Sequence, residues 1–160
     1  MSIESVRAFF AANAPDIVVL QTDTSSATVA LAAQAHGVEA DQIAKTLCLR
    51  AGDTVLLLVT AGTRRIDNRK FRDRFSAKPR MLEAEEVSQL TSHPVGGVCP
   101  FGLPAPMPVF CDISLKDHEI VVPAAGATNS AVRIQPDQMA ELVSAIWVDV
   151  CDVPKPPAAT

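Results

Sequence analysis

Aromatic side chains are scarce in this chain, which has one Trp, six Phe and no Tyr among 160 residues. Its core must therefore be built from Val, Leu, Ile and Ala, and few rings are available to stack nucleic-acid bases. Metal-ligand spacing is missing as well: Cys48, Cys99, Cys111 and Cys151 form no CxxC pair, and His36, His93 and His118 follow no ligand pattern. No metal is expected, and the cysteines read as reduced, mostly buried thiols. There is no GxSxG, P-loop or HExxH, so the familiar nucleophilic, phosphate-cradling and zinc signatures are absent. No uncharged apolar run approaches the roughly 20 residues of a membrane span. The N-terminus Met1-Ser2-Ile3-Glu4 lacks the basic-then-apolar order of an export signal, so a cytoplasmic protein without a membrane partner is expected. A formal charge of −4 argues against coating nucleic acid through overall charge.

With 48% hydrophobic residues, the chain can bury one sizeable core, and a single domain over residues 1–152 is expected. The Pro-rich end from Val153 reads as a disordered tail, residues 153–160. Charge is unevenly spread. Of the 14 Lys and Arg, eight fall between Arg64 and Arg80, where Asp67 and Asp73 are the only acids. On a helix from Asp67 to Phe75, with Phe71 and Phe75 facing inward, Arg65, Arg69, Lys70, Arg72 and Arg74 can face outward. That face suits phosphate, or it is simply a solvated helix face.

The remaining pattern is α/β, of the α+β kind. A first helix runs from Ser2, its cap, to Ala12 and stops before Pro15, and Ile17–Leu20 reads as a short buried strand. A helix over Ala27–His36, capped by Ser25 or Ser26, ends at Gly37. The runs Lys45–Arg50 and Thr54–Thr60 form a hairpin around Ala51-Gly52-Asp53, and this hairpin should be the centre of the sheet. A surface helix is expected over Glu83–Leu90, and strands over Pro108–Cys111, Glu119–Pro123 and Ala131–Ile134. A last helix from Pro136 to about Ser144 and a strand over Ile146–Val150 complete the order.

Three features could carry chemistry. Lys45 stands at a strand entrance beside apolar residues, where an ammonium needs solvent or an anionic partner. The stretch Val95-Gly96-Gly97-Val98-Cys99-Pro100-Phe101-Gly102 is a shaped loop whose glycines allow close approach of backbone. Ala125-Gly126-Ala127-Thr128-Asn129-Ser130 is a second small-residue loop with hydroxyls, an amide and exposed backbone. Such a set positions a substrate more than it reacts with it: a carbonyl held against backbone N–H groups while water attacks. Cys99 is the tempting nucleophile, but a thiol needs a nearby base or positive field, and a packed cysteine is the simpler reading.

These two loops, with Ile43-Ala44-Lys45-Thr46-Leu47, resemble the YbaK-type prolyl-tRNA editing family, the aminoacyl-tRNA deacylases, over roughly Asp23 to Trp147. The resemblance implies a mixed, barrel-like sheet with helices outside. It also implies hydrolysis of the ester on a mischarged tRNA, typically tRNA(Pro), without a cofactor. On that footing Lys45, Gly96, Gly97 and Gly126 are the expected catalytic positions, with the Gly96 and Gly97 N–H groups fixing the ester carbonyl or its developing oxyanion. Thr46, Val98, Cys99, Pro100, Thr128, Asn129 and Ser130 are expected to bind substrate, and Arg65, Arg69, Lys70, Arg72 and Arg74 to bind tRNA. The second loop lacks the basic residues of some cysteine-specific members, so Ala, Ser, Thr, Cys and 2-aminobutyrate all remain as the cleared amino acid. Attack by water and cyclisation of a substrate thiol both remain open. The alternative is a non-catalytic tRNA- or small-ligand-binding module of the same fold, associated with a synthetase.

Overall fold

The computed structural model describes residues 2–153, and residues 154–160 of the expected tail lie outside that range. The chain opens with helix α1 (Ser2–Asn13), whose Val6 and Phe10 are buried one turn apart. Pro15 follows just beyond its end. The strand expected over Ile17–Leu20 is shifted and shorter: β1 is Leu20–Gln21. Helix α2 (Val29–His36) starts two residues later than expected. Thr28, not Ser25 or Ser26, caps it, its side chain accepting from the Leu31 N–H, and Gly37 closes it at φ 66°. A 3-10 turn at Ala40–Gln42 leads into strand β2 (Ile43–Ala51), which returns through Gly52 as β3 (Thr54–Ala61).

Alternation along this hairpin builds two cores. Leu57 and Val59 of β3, with Ala44 and Cys48 of β2, face Val6 and Phe10 of α1. Leu56 and Leu58, with Leu49, face the other way, towards Phe71 of helix α3 (Asn68–Phe75). Asp67 caps α3, its side chain accepting from the Arg69 and Lys70 N–H groups. The chain continues through β4 (Arg80–Met81), α4 (Ala84–Thr91), β5 (Val109–Asp112), β6 (Val122–Pro123) and β7 (Ser130–Ala131). Helix α5 (Pro136–Leu142) and β8 (Ile146–Val148) complete it. Strands β6, β7 and β8 are shorter than the sequence pattern suggests, and around β6 and β7 neighbouring residues are joined by single bridges, between Val121 and Ile134 and between Ala124 and Ala131.

The main sheet has the order β4-β2-β3-β5-β8 and is mixed, with β2–β3 antiparallel and β3–β5 and β5–β8 parallel. Its central hairpin is where the apolar runs placed it. The outer edge of β2 is shared by two short strands. Parallel β6 pairs with Ile43 and Ala44, and antiparallel β4 pairs with Leu49 and Arg50. Between those two registers the sheet is split.

Candidate functional site

A cavity of about 420 Å³ occupies the split, within the range of small-ligand sites. Its walls come from the residues entering α2 (Ser26, Ala27, Thr28), from Met81, Leu82 and Val87 around β4 and α4, from Val122 and Ala124, and from both small-residue loops. Lys45, Thr46 and Cys48 of β2 border it. Most of this lining is small and aliphatic. Met81 and Val95, 64% and 62% exposed, are the large apolar side chains exposed among its borders.

Of the expected site residues, the fold brings Lys45, Thr46, Gly96, Val98 and Ser130 to this cavity. The Lys45 Nζ donates to the Arg64 carbonyl at 2.5 Å. Burial lowers its pKa, opposed chiefly by Cys151 and Asp152. Burial pushes the Cys151 thiol up to about 12, so it brings no charge to Lys45 at neutral pH. The Arg64 segment is itself tied down. Its guanidinium lies 2.7 Å from Asp117 and 3.4 Å from Asp41, and Asp41 also accepts from His118 and Thr63. Burial raises the Asp41 pKa, but those hydrogen bonds together with the neighbouring Arg64 charge outweigh it and the net shift is down. Sequence reasoning missed this support for Lys45 because it assembles from residues far apart in the chain.

The glycine pair acts through packing. A Cβ on Gly96, where φ is 89°, would lie 2.8 Å from Ala27 Cβ, and one on Gly97 would lie 2.8 Å from the Ala127 nitrogen. Loop meets loop here, as the Gly126 N–H donates to the Gly97 carbonyl at 3.0 Å. The Gly97 N–H is given to the Pro94 carbonyl at 2.9 Å. The expectation that the Gly97 N–H is offered to a substrate is thus corrected: it is engaged within its loop, as the Gly126 N–H is with Gly97, leaving Gly96 as the glycine of the three that borders the cavity.

Other expected contacts also serve the frame. The Thr128 carbonyl accepts from the Ser26 N–H at 2.6 Å, and the Asn129 amide donates to the Thr22 carbonyl at 3.1 Å, so neither residue borders the cavity. Ser130, fully buried, accepts from the Ala127 N–H at 3.0 Å and still reaches the wall. Pro100 lies in a separate groove. Cys99 is fully buried, with Sγ 3.4 Å from His93 Nε2, which is itself 2.8 Å from the Phe101 carbonyl. Burial pushes Cys99 up to about 12 and lowers His93, so this pair is a neutral, enclosed contact away from the cavity.

The basic helix lies elsewhere too. Through Phe71, α3 packs on the sheet face opposite the Ala44 and Cys48 side chains. Lys70 donates to Asp149 and to the Cys151 carbonyl, and the Arg74 guanidinium lies over the rings of Phe75 and Phe110. Arg65, Arg69 and Arg72 remain exposed. No group of three or more possible metal-ligating side chains occurs among the described residues. Nor is any described helix long and apolar enough to cross a membrane.

A mixed sheet split around a ligand-sized, mostly aliphatic cavity with one lysine at its border is the candidate site of this α+β domain. The chain belongs to the aminoacyl-tRNA editing domain family, whose model matches residues 23–142. It is 46% identical over 153 residues to the uncharacterised protein YwhH of Bacillus subtilis (strain 168), covering 94% of this chain and 98% of that protein. Among solved structures it is similar to a protein proposed as a trans-editing enzyme for prolyl tRNA synthetase. The TM-score is 0.87 at 28% identity, over 95% of this chain and 98% of that one. A second, the hypothetical protein APE2540, matches with TM-score 0.84 at 28% identity, over 92% of this chain and 99% of that one.

Proposed function

We propose that this protein is a free-standing deacylase that hydrolyses the ester bond of mischarged tRNA, with tRNA(Pro) carrying a small non-cognate amino acid as its substrate. The observation that carries the reading is the convergence of Lys45, Thr46, Gly96 and Ser130 on one cavity of about 420 Å³. Membership of the editing family supports the reaction class. Small aliphatic walls favour small uncharged side chains, among which Ala and 2-aminobutyrate leave no hydroxyl to satisfy. Such side chains differ by a methylene, which binding alone separates by about 10–200-fold, and this gives a second hydrolytic sieve its purpose.

In this reading the Lys45 ammonium, positioned by the Arg64 carbonyl, holds the terminal phosphate or ribose. The Gly96 backbone approaches the ester, and Met81 and Val95 flank the terminal nucleoside. Arg65, Arg69 and Arg72 supply the long-range attraction for the acceptor stem, and deacylation should weaken as salt rises. Cys99, enclosed and neutral, takes no part. Cleavage of tRNA(Pro) charged separately with Ala, Cys, Ser, Thr, 2-aminobutyrate and Pro, by wild type and Lys45→Ala, tests the proposal. A synthetase-bound, non-catalytic module would leave all six species intact.

A further inference from the structure

The split in the sheet leaves one residue of β2 unpaired on its outer side. The β6 register ends at Ala44 and the β4 register ends at Leu49, extended one step by the Leu82 N–H donating to the Cys48 carbonyl at 3.3 Å. A strand points the N–H and C=O of alternate residues to the same side. Since the Cys48 carbonyl faces the β4 side, the Thr46 N–H and C=O face that side as well, and neither short strand reaches them. The β3 side carries the complementary set: the Leu57 N–H bonds away from β2, to the Pro108 carbonyl at 2.9 Å, so it is the even-numbered residues of β3 that bond the odd-numbered residues of β2. Thr46 borders the cavity, and its side-chain hydroxyl is enclosed with no hydrogen-bond partner.

A missing ladder partner has a definite chemistry. In an antiparallel sheet two facing residues exchange both N–H···O=C bonds, so what completes Thr46 is a group with a donor nitrogen and an acceptor carbonyl attached to one carbon. An α-aminoacyl ester has this arrangement. The geometry points to Thr46 as the seat of the aminoacyl head: its C=O accepts from the α-ammonium and its N–H donates to the ester carbonyl. The substrate takes the place of the missing strand residue. The same N–H lies where negative charge develops on that oxygen as the ester is attacked, a task that the engaged Gly97 and Gly126 N–H groups do not perform. The inference rests on the deacylase reading and adds what selects the head group: a free α-amino group is required, whatever the side chain.

The test uses 3′-deoxy-3′-(alanylamino)adenosine, whose amide is not cleaved, and its lactyl counterpart, which has a hydroxyl in place of the ammonium. Binding of each to the full-length protein is followed by calorimetry and by the amide resonances of β2, with turnover of mischarged tRNA measured alongside. The expected result is a downfield shift of the Thr46 amide proton with the alanyl probe, and lactyl binding weaker by about 10-fold or more, as loss of a charged hydrogen bond predicts. Thr46→Val keeps the backbone groups and should keep that discrimination. An unmoved Thr46 resonance, equal affinity for the two probes, or no binding of the alanyl probe would each overturn the proposal, even if turnover is robust. Failure of turnover with every charged tRNA would instead overturn the deacylase reading, and a Thr46 shift with alanyl-over-lactyl preference would still uphold the head-group site.

Discussion

Strand β2 is paired to β3 without a break from Ala44 to Ala51, whereas its other side is paired only at Ile43–Ala44 and Leu49–Arg50. The continuous side runs into two close-packed cores, with Leu57, Leu58 and Val59 fully buried. The interrupted side holds the cavity, which Lys45 borders, and the unpartnered hydroxyl of Thr46. Close packing is concentrated on one side of a single strand, and an unsatisfied hydroxyl lies on the other. Such a division is expected where local rules are relaxed for binding.

The largest expected effect on stability lies on the continuous side. Leu57→Ala should cost about 2–5 kcal/mol, read from chemical denaturation. A cost comparable to that of an exposed position would show that β3 is not the centre of the core. A smaller effect should appear at the cavity walls on acidification. Burial, then Arg133, lowers the pKa of His36 at the end of α2, and burial also lowers His93 beneath the glycine loop, against a hydrogen bond to the Phe101 carbonyl. Both therefore bind protons more readily when unfolded. Their stabilisation is full above the ordinary value of 6.5 and falls as the pH drops through it. Hydrogen exchange in α2 and across the glycine loop should accelerate between about pH 7.5 and about pH 5.5 more than in β3, and His36→Gln should remove the part that belongs to α2. Uniform acceleration across the sheet would erase the contrast. The smallest effect belongs to the split itself: Thr46→Val removes an unpaired hydroxyl, so thermal stability should hold or rise by up to about 1 kcal/mol. A clear loss would mean that the hydroxyl has a partner.

Much of this was legible in the chain. The continuous run Val55–Val59 announced a strand buried on both faces, Gly52 announced the hairpin turn, and Lys45 stood out as a cation among apolar neighbours. The three segments that suggested the editing family do converge, since Lys45, Gly96 and Ser130 border one cavity. What stayed hidden has a common cause. β4, β6 and β7 are two residues each, too short to leave a period in the sequence, and without them the split in β2 has no signature. The aliphatic walls from α2 and α4 read like any other core residues. The roles of Gly97 and Gly126 depended on where their N–H groups pointed, which composition does not encode. The basic run did form a helix, but its placement on the sheet face opposite Ala44 and Cys48 is a matter of strand alternation in β2 and β3.

A hydrolytic site governed by Lys45 on the interrupted side of β2 is the core of the proposed function. It is tested most directly by the deacylation panel on tRNA(Pro) with wild type and Lys45→Ala, each first shown to have the same melting temperature. The account predicts selective loss of Ala or 2-aminobutyrate from tRNA, with Pro-tRNA(Pro) spared, and a rate at least about 100-fold lower for Lys45→Ala. Undiminished cleavage by Lys45→Ala, or no cleavage of any species by the wild type, would contradict it.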